Sequence, residues 1–431
     1  MDRCCGRGPG VLQGASVRIL FLVHRSWPYH GGSERYVLEH ALEALRRGHE
    51  PVIATTDAWD MDAFVKPGGR RLPPGEFTYE GVRIIRFPVV NPPFQHPLRA
   101  VLRRLTPGGP DRFFFPNPFV PSLDRWLAKD AAGKFDLIHA NAMPFMIHGG
   151  WRYSRKNGVP LVAVPHANLG SPGHRIEPLL YFAGDQKEIL RTSSLVVAQN
   201  SFEKGVYTEE CGVDPGSVMV LGSGVDPDEW VGASRERALA ALSLPPVLPL
   251  VLSMTAHCRD KGSFTLLDSA MSLWAKGVDF MLVLAGPVLP DFREYLDARS
   301  PGIPGGKLAV TGYLPETVRK DLFAAASIVA APSRLDAFGI VVLDGWISRC
   351  PVIGCNAGGM PDLIQDGTDG FLVDFGDAKT LSERLKELLR DEDLGATMAS
   401  RGRNKVLERY TWRKVTGRFF DELERRDLCT G

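Results

Sequence analysis

No apolar run in this chain approaches the roughly twenty residues that a membrane-spanning helix needs, which argues against an integral membrane protein. The opening MDRCCGRGPGVLQGAS lacks a long apolar stretch, and VRILFLV (17–23) is only strand length, so no signal peptide is read. Surplus charge is absent too. The 51 basic and 50 acidic side chains leave a formal charge of +1, with no overall pull toward nucleic acid or anionic lipid. Cys4, Cys5, Cys211, Cys258, Cys350, Cys355 and Cys429 are odd in number and scattered, which gives neither a disulfide framework nor paired metal ligands. The GxGxxG dinucleotide fingerprint is missing as well. A globular, cytoplasmic protein with reduced thiols and no nucleic-acid partner is the expectation.

What is there is alternation. At 431 residues the chain is long for one α/β core, and two domains are expected. Short β-branched runs alternate with amphipathic helical stretches, the pattern of parallel sheets with crossover helices. Strands are read at 17–23, 51–56, 82–87, 135–140, 159–165 and 194–199, and a second series at 248–254, 280–286, 307–312, 327–332 and 351–355. The turn-rich LGSGVDPDEW (221–230) separates the series, so the domains are set at 16–222 and 223–409. The last helix, 410–431, is expected to pack back across the junction. The segment 91–121 fits neither half: it is rich in Pro, Arg and Phe. HPLRAVLRRL within it has apolar and basic sides, which suits either a docked helix or a membrane-surface helix. Peripheral contact with the inner face of a membrane is therefore kept as a minority reading.

Open parallel sheets bind ligands beyond the carboxyl ends of their strands, and the candidate residues fall there. PSRLDAFGIVVLD (332–344) reads as a strand end, a loop and the first turns of a helix. A helix starting near Phe338 or Gly339 presents unpaired N–H groups, Ile340 among them, to an anion, and Gly339 permits close approach. Asp336 lies beside that site and Asp344 lies just over one turn inside the helix. One acid would hold a neutral hydroxylated group and the other a ribose, the layout of a sugar nucleotide. Gly-Gly pairs precede two other helices, Gly31–Gly32 after the first strand and Gly358–Gly359 after PVIGC. SMTAHCRDKG places Arg259 and Lys261 where a cation would neutralise a diphosphate. His166 opens a loop rich in Gly, Ser and Asn and is favoured for function. His139 is read as structural, and HANLGSPGH has the wrong spacing for a metal site.

These motifs, with LRRGHEPVIAT (45–55), FDLIHAN, GSGVDPDEW, DKG, GYLPETVRKDLFAAASIVAAPS and GGMPDLIQDGTDGFLVD, resemble the retaining glycosyltransferases of family four. The resemblance runs from about Val17 to the final helix and is most specific in the second half. It implies an α/β chain of two Rossmann-like, doubly wound domains facing across a cleft, the GT-B architecture. The implied reaction moves a sugar from a nucleoside diphosphate donor to a hydroxyl acceptor, with retention and without a metal or resident cofactor. Lys261 would bind the diphosphate with the N–H groups of Gly339 and Ile340, and Asp336 would contact the donor sugar. Asp344 would bind the ribose, His166 would lie near the sugar, and Gly31 and Gly32 would let a loop close over the phosphate. The chain departs from the family by carrying aspartate at 336, 344 and 362 where glutamate is usual. The arginine expected near Thr255 or Ala256 is missing, with Arg259 or Arg334 as substitutes. The alternatives are a catalytically weak nucleotide-sugar-binding protein and a GT-B sugar-nucleotide epimerase.

Overall fold

The structure is a computed structural model, described for residues 16–29, 31–65, 68–91, 118–167, 169–171, 174–175 and 184–429. The helix expected at HPLRAVLRRL, and most of FFFPNPF, lie outside the described residues. Two compact units divide the chain. One comprises residues up to Pro165, Ala183–Val196 and Thr416–Gly431; the other comprises His166–Phe182 and Val197–Val415. No described helix is long and apolar enough to cross a membrane.

The first sheet contains β1 (Arg18–Leu22), β2 (Glu50–Thr56), β3 (Gly75–Tyr79), β4 (Val82–Phe87), β5 (Leu137–Asn141), β6 (Leu161–Val164), β9 (Leu195–Ala198) and β10 (Val218–Val220). Two short strands, β7 (Gly170–Ser171) and β8 (His174–Arg175), pair separately. The eight-stranded order is β10-β9-β6-β5-β1-β2-β4-β3. Parallel pairing runs from β9 through β6, β5, β1 and β2 to β4, and β3 joins β4 antiparallel. β3 escapes sequence reading because GEFTY is polar and largely exposed, as an edge strand can be.

The central strands are buried on both faces, so they read as continuous apolar runs rather than alternating ones. The helix Gly32–Arg46 covers β1 and β2 with Tyr36, Val37 and Ala41, all fully buried. Residues from Thr416 onward complete this unit. Phe419 lies edge-on to His40 and His139, at ring separations of 4.8 and 5.1 Å. Arg47 donates to Asp421 and Glu424, both at 2.8 Å. His139, fully buried among Phe21, Tyr36, His40 and Phe419, packs in the core as expected of a structural residue.

The second sheet holds β11 (Leu250–Met254), β12 (Met281–Ala285), β13 (Leu308–Gly312), β14 (Ile328–Ala331), β15 (Val352–Cys355) and β16 (Phe371–Val373). Its order is β13-β12-β11-β14-β15-β16, with every pair parallel. Successive side chains along each strand alternate between two cores. Leu252, Val283, Val329 and Trp346 lie in one; Val251, Leu282, Ile328 and Ile353 lie in the other. The order reverses between β11 and β14, and that switch point is where an open sheet of this kind leaves a crevice at its carboxyl edge. Residues 197–222 group with this second unit, although β10 within them pairs in the first sheet.

Three imidazoles are sealed in these cores. Burial pushes His40 down to about 3, and His24 and His257 to about 4, so all three fold neutral. A histidine with a lowered folded pKa costs nothing above about pH 6.5 and destabilises as pH falls toward the folded value. His40→Gln, which cannot take the proton, is expected to remove about 2 kcal/mol of the stability difference between pH 6.5 and 5. Denaturant unfolding of both proteins at the two pH values checks this; equal slopes would reject it.

Candidate active site

The carboxyl end of β11 runs through Thr255–Lys261 into the helix Ser263–Ala275, and that of β14 runs through Pro332–Gly339 into the helix Ile340–Ile347. These two loops flank the switch point. Lys261 spans them: its Nζ donates to the Leu335 carbonyl at 2.5 Å and to Asp336 Oδ1 at 3.0 Å. Both side chains are about a quarter exposed, so the pair is held by protein on one side and reachable by ligand on the other.

Gly339 caps the second helix with φ of 101°, a left-handed conformation that costs an L side chain dearly. That turn starts the helix abruptly, and no side chain caps it. The first N–H groups, including those of Ile340 and Val341, are left for an anion. The ring of Phe338, the residue read from sequence as a possible helix start at the ligand site, is buried over Gly222 and 5.5 Å from Tyr410. It anchors the loop so that the backbone beside it can be presented.

Gly358 and Gly359 abut the same loop. Gly359 N–H donates to the Asp336 carbonyl at 2.9 Å, and a Cβ at either glycine would collide with the backbone of residues 336–338. Their visible role is to let two loops pack without an intervening side chain. On the other flank Asn200 Nδ2 donates to the Ala337 carbonyl at 2.5 Å, and Ser201 N–H donates to Asp362 Oδ2 at 2.5 Å. The Asp336 loop is thus fastened from three directions.

Arg259 and Arg334, the expected substitutes for the missing arginine, both make contacts within the second unit. Arg259 lies over the Phe264 ring at 4.3 Å, while Arg334 forks onto Asp260 at 2.7 and 2.9 Å and covers Phe375. His166 follows β6 with φ of 51°, half-buried, and the next residue, Ala167, lines a narrow crevice with Leu169, Glu203, Asp336 and Gly358. In the other unit, Gly31 caps the helix Gly32–Arg46 without a side-chain bond. The space a Cβ would need at Gly31 is taken by Glu34, whose carboxylate accepts from Arg25 at 3.0 Å. Among the described residues no group of three His, Cys, Asp or Glu could hold a metal ion.

Asp344 has a setting unlike that of Asp336. It is 6% exposed, and its Oδ2 accepts from Arg319 Nη1 at 2.7 Å. Burial raises its pKa, with Glu316 and Glu229 adding to the rise and Arg319 opposing it. Burial also works against the Arg319 charge, but Asp344 and Glu316 more than offset it and hold the guanidinium above its usual range. Sequence reading passed over Arg319, which looks like one of several surface charges on the helix Glu316–Ala325. It passed over the Asn200–Glu203 pair too, although Asn followed three residues later by Glu is a readable helix-capping pattern.

Two compact units, one built on a mainly parallel sheet and the other on a fully parallel one, match the GT-B architecture, and solved structures agree. A Thermosynechococcus elongatus sucrose-phosphate synthase superposes with a TM-score of 0.73 at 18% identity, over 95% of this chain and 99% of that one. An Anabaena protein in complex with UDP and glucose gives 0.70 at 20% identity, over 95% and 100%. The family model described as Glycosyl transferases group 1 matches residues 234–405, and that described as Glycosyltransferase Family 4 matches residues 30–229. A D-inositol 3-phosphate glycosyltransferase of Mycobacterium sp. (strain KMS) is 30% identical over 83% of this chain and 78% of its own length. One from Saccharomonospora viridis is 26% identical over 91% and 88%. The chain belongs to the family 4 glycosyltransferases, enzymes that transfer a sugar from an activated donor to an acceptor.

Glu203, beside the Asp336 loop, yields a prediction. Its Oε2 accepts from Gln199 N–H at 2.9 Å, Oε1 has no partner among the described residues, and burial pushes its pKa up to about 8. A raised folded pKa gives stability that is complete below about pH 4.5 and lost as pH climbs through 8. Glu203→Gln keeps the acceptor oxygen and removes the titration. It is expected to gain on the order of 3 kcal/mol over the parent between pH 5 and 8. Parallel pH-stability curves for the two proteins would contradict this.

Proposed function

We propose that the protein is a metal-independent, retaining glycosyltransferase that moves a sugar from a nucleoside diphosphate sugar to a hydroxyl acceptor. The observation that carries this reading is Lys261 beside Asp336 at the start of the Gly339-capped helix. A diphosphate there meets a fixed ammonium and unpaired N–H groups, which together stabilise the charge that grows on the leaving group. In this reading protein groups supply that positive charge, so the reaction needs no divalent cation. Asp336 turns a carboxylate toward the donor sugar, Asp344 accepts from the ribose, and His166 borders the sugar. Retention follows if the acceptor attacks from the face the diphosphate leaves. Relatives named for D-inositol 3-phosphate make a phosphorylated polyol one acceptor to test.

A thermal-shift screen with UDP-, GDP-, ADP- and dTDP-sugars is expected to find one stabilising donor, and transfer with that donor to persist in EDTA. Proton NMR of the product should show the donor's anomeric configuration. Lys261→Ala removes a charged hydrogen bond worth about 1.5–3 kcal/mol, so turnover should fall roughly ten- to a hundredfold with the fold intact. Asp336→Ala should fall at least as far. Unchanged turnover in both variants, or an inverted anomer, would defeat the assignment. Donor binding without any product would favour the binding-protein reading, and isomerisation of the donor alone would favour the epimerase.

A further inference from the structure

The Asp344 carboxylate is not free to choose its geometry. Arg319 lies one turn into the helix Glu316–Ala325, and its Nε and Nη2 fork onto Glu316 at 2.9 and 2.7 Å. Its remaining edge reaches Asp344 Oδ2, and the guanidinium plane lies 5.1 Å from the centre of the Trp230 ring and 5.7 Å from that of Phe323. A planar fork clamped at two edges and covered by aromatic rings has one position, which a lysine cannot reproduce. Arg319 engages only Oδ2. Among the described residues Oδ1 has no hydrogen-bond partner, and it is not among the oxygens sealed from solvent.

We propose that Arg319 is a positioning residue for the nucleotide: it fixes Asp344 as an ionised acceptor with Oδ1 turned to the ribose hydroxyls. This rests on the donor reading above and adds a requirement that reading does not contain. A carboxylate this deep, facing Glu316 on the helix Glu316–Ala325 and Glu229 on the turn Pro227–Trp230, would otherwise take up a proton. Lys320 does not relieve it, since that ammonium pairs with Glu229 at 3.2 Å and with Glu316 at 3.8 Å. Arg319 is the cation in contact with Asp344. A protonated Asp344 would still hydrogen-bond, but without the charge that makes a ribose hydroxyl contact strong.

The experiment is calorimetric titration of UDP, GDP and ADP at roughly pH 6 and pH 8.5, either side of neutrality. The bound nucleotide's 2′-deoxy form is the control. The parent should bind one nucleotide with little pH dependence and discriminate against the deoxy form. Arg319→Met should bind roughly tenfold or more weakly at the lower pH, lose the discrimination there, and regain affinity at the higher pH. Arg319→Lys keeps a cation and should stay flat with pH but bind more weakly. Should Arg319→Met fail to fold, the double variant Arg319→Met with Asp344→Asn has no buried lone charge and carries the test; it should bind weakly at both pH values. Parent-like affinity and a flat profile in Arg319→Met would overturn the role of Arg319 alone, whereas parent-like affinity in the double variant would overturn the Asp344 ribose contact together with it. Failure of the parent to bind any of the three nucleotides would remove the donor reading and this inference with it.

Discussion

The contact on which the site depends is the one Lys261 makes across two loops. A single ammonium, held by the Leu335 carbonyl and the Asp336 carboxylate, ties the end of β11 to the end of β14. Those strands are neighbours in the sheet but lie more than seventy residues apart in sequence. Parallel strands must be joined by crossovers, so their carboxyl-end loops come from distant stretches and need a cross-link of their own. Here the cross-link is a single partly exposed ammonium, so one side chain holds both loops in place.

Around that contact, polar backbone bonds do what hydrophobic packing does beneath it. The Asp336 loop is fixed by Gly359 from one side and Asn200 from the other, with Phe338 sunk between Gly222 and Tyr410. A carboxylate held by such a frame is fixed in place before any ligand arrives. The two aspartates, equal in the sequence, acquire different characters from their surroundings. Asp336 stays partly exposed beside a flexible ammonium, while Asp344 is buried against a rigid guanidinium. The shorter acid in place of the family's glutamate at 344 fits that arrangement, because Arg319 already occupies one of its oxygens.

The second unit gathers every candidate except Gly31 and Gly32, and the contrast between the Gly-Gly pairs is instructive. Gly358–Gly359 admits a neighbouring backbone, whereas beside Gly31 the carboxylate of Glu34 fills the space a side chain would take. Glu34 is itself paired with Arg25 and lies 3.3 Å from His24, so the start of that helix carries its own charge network. The same dipeptide therefore signals a close approach in each case without saying what approaches.

Much of the architecture was legible in the chain. Continuous β-branched runs alternating with amphipathic stretches specify parallel strands and crossover helices, because each face of such a sheet must be covered. Lys261, Asp336 and Gly339 were readable as a group because they fall at strand ends, where open sheets leave their crevices. Tertiary structure decided the rest. The short strands β3, β10 and β16 exist only because neighbours present open edges to them. That Arg259 lies over Phe264, Arg334 pairs with Asp260 and Arg319 pairs with Asp344 depends on which side chains meet across different helices and loops. Charge pairing has no periodicity along a chain, so its partners become known only when the fold brings them within hydrogen-bond reach.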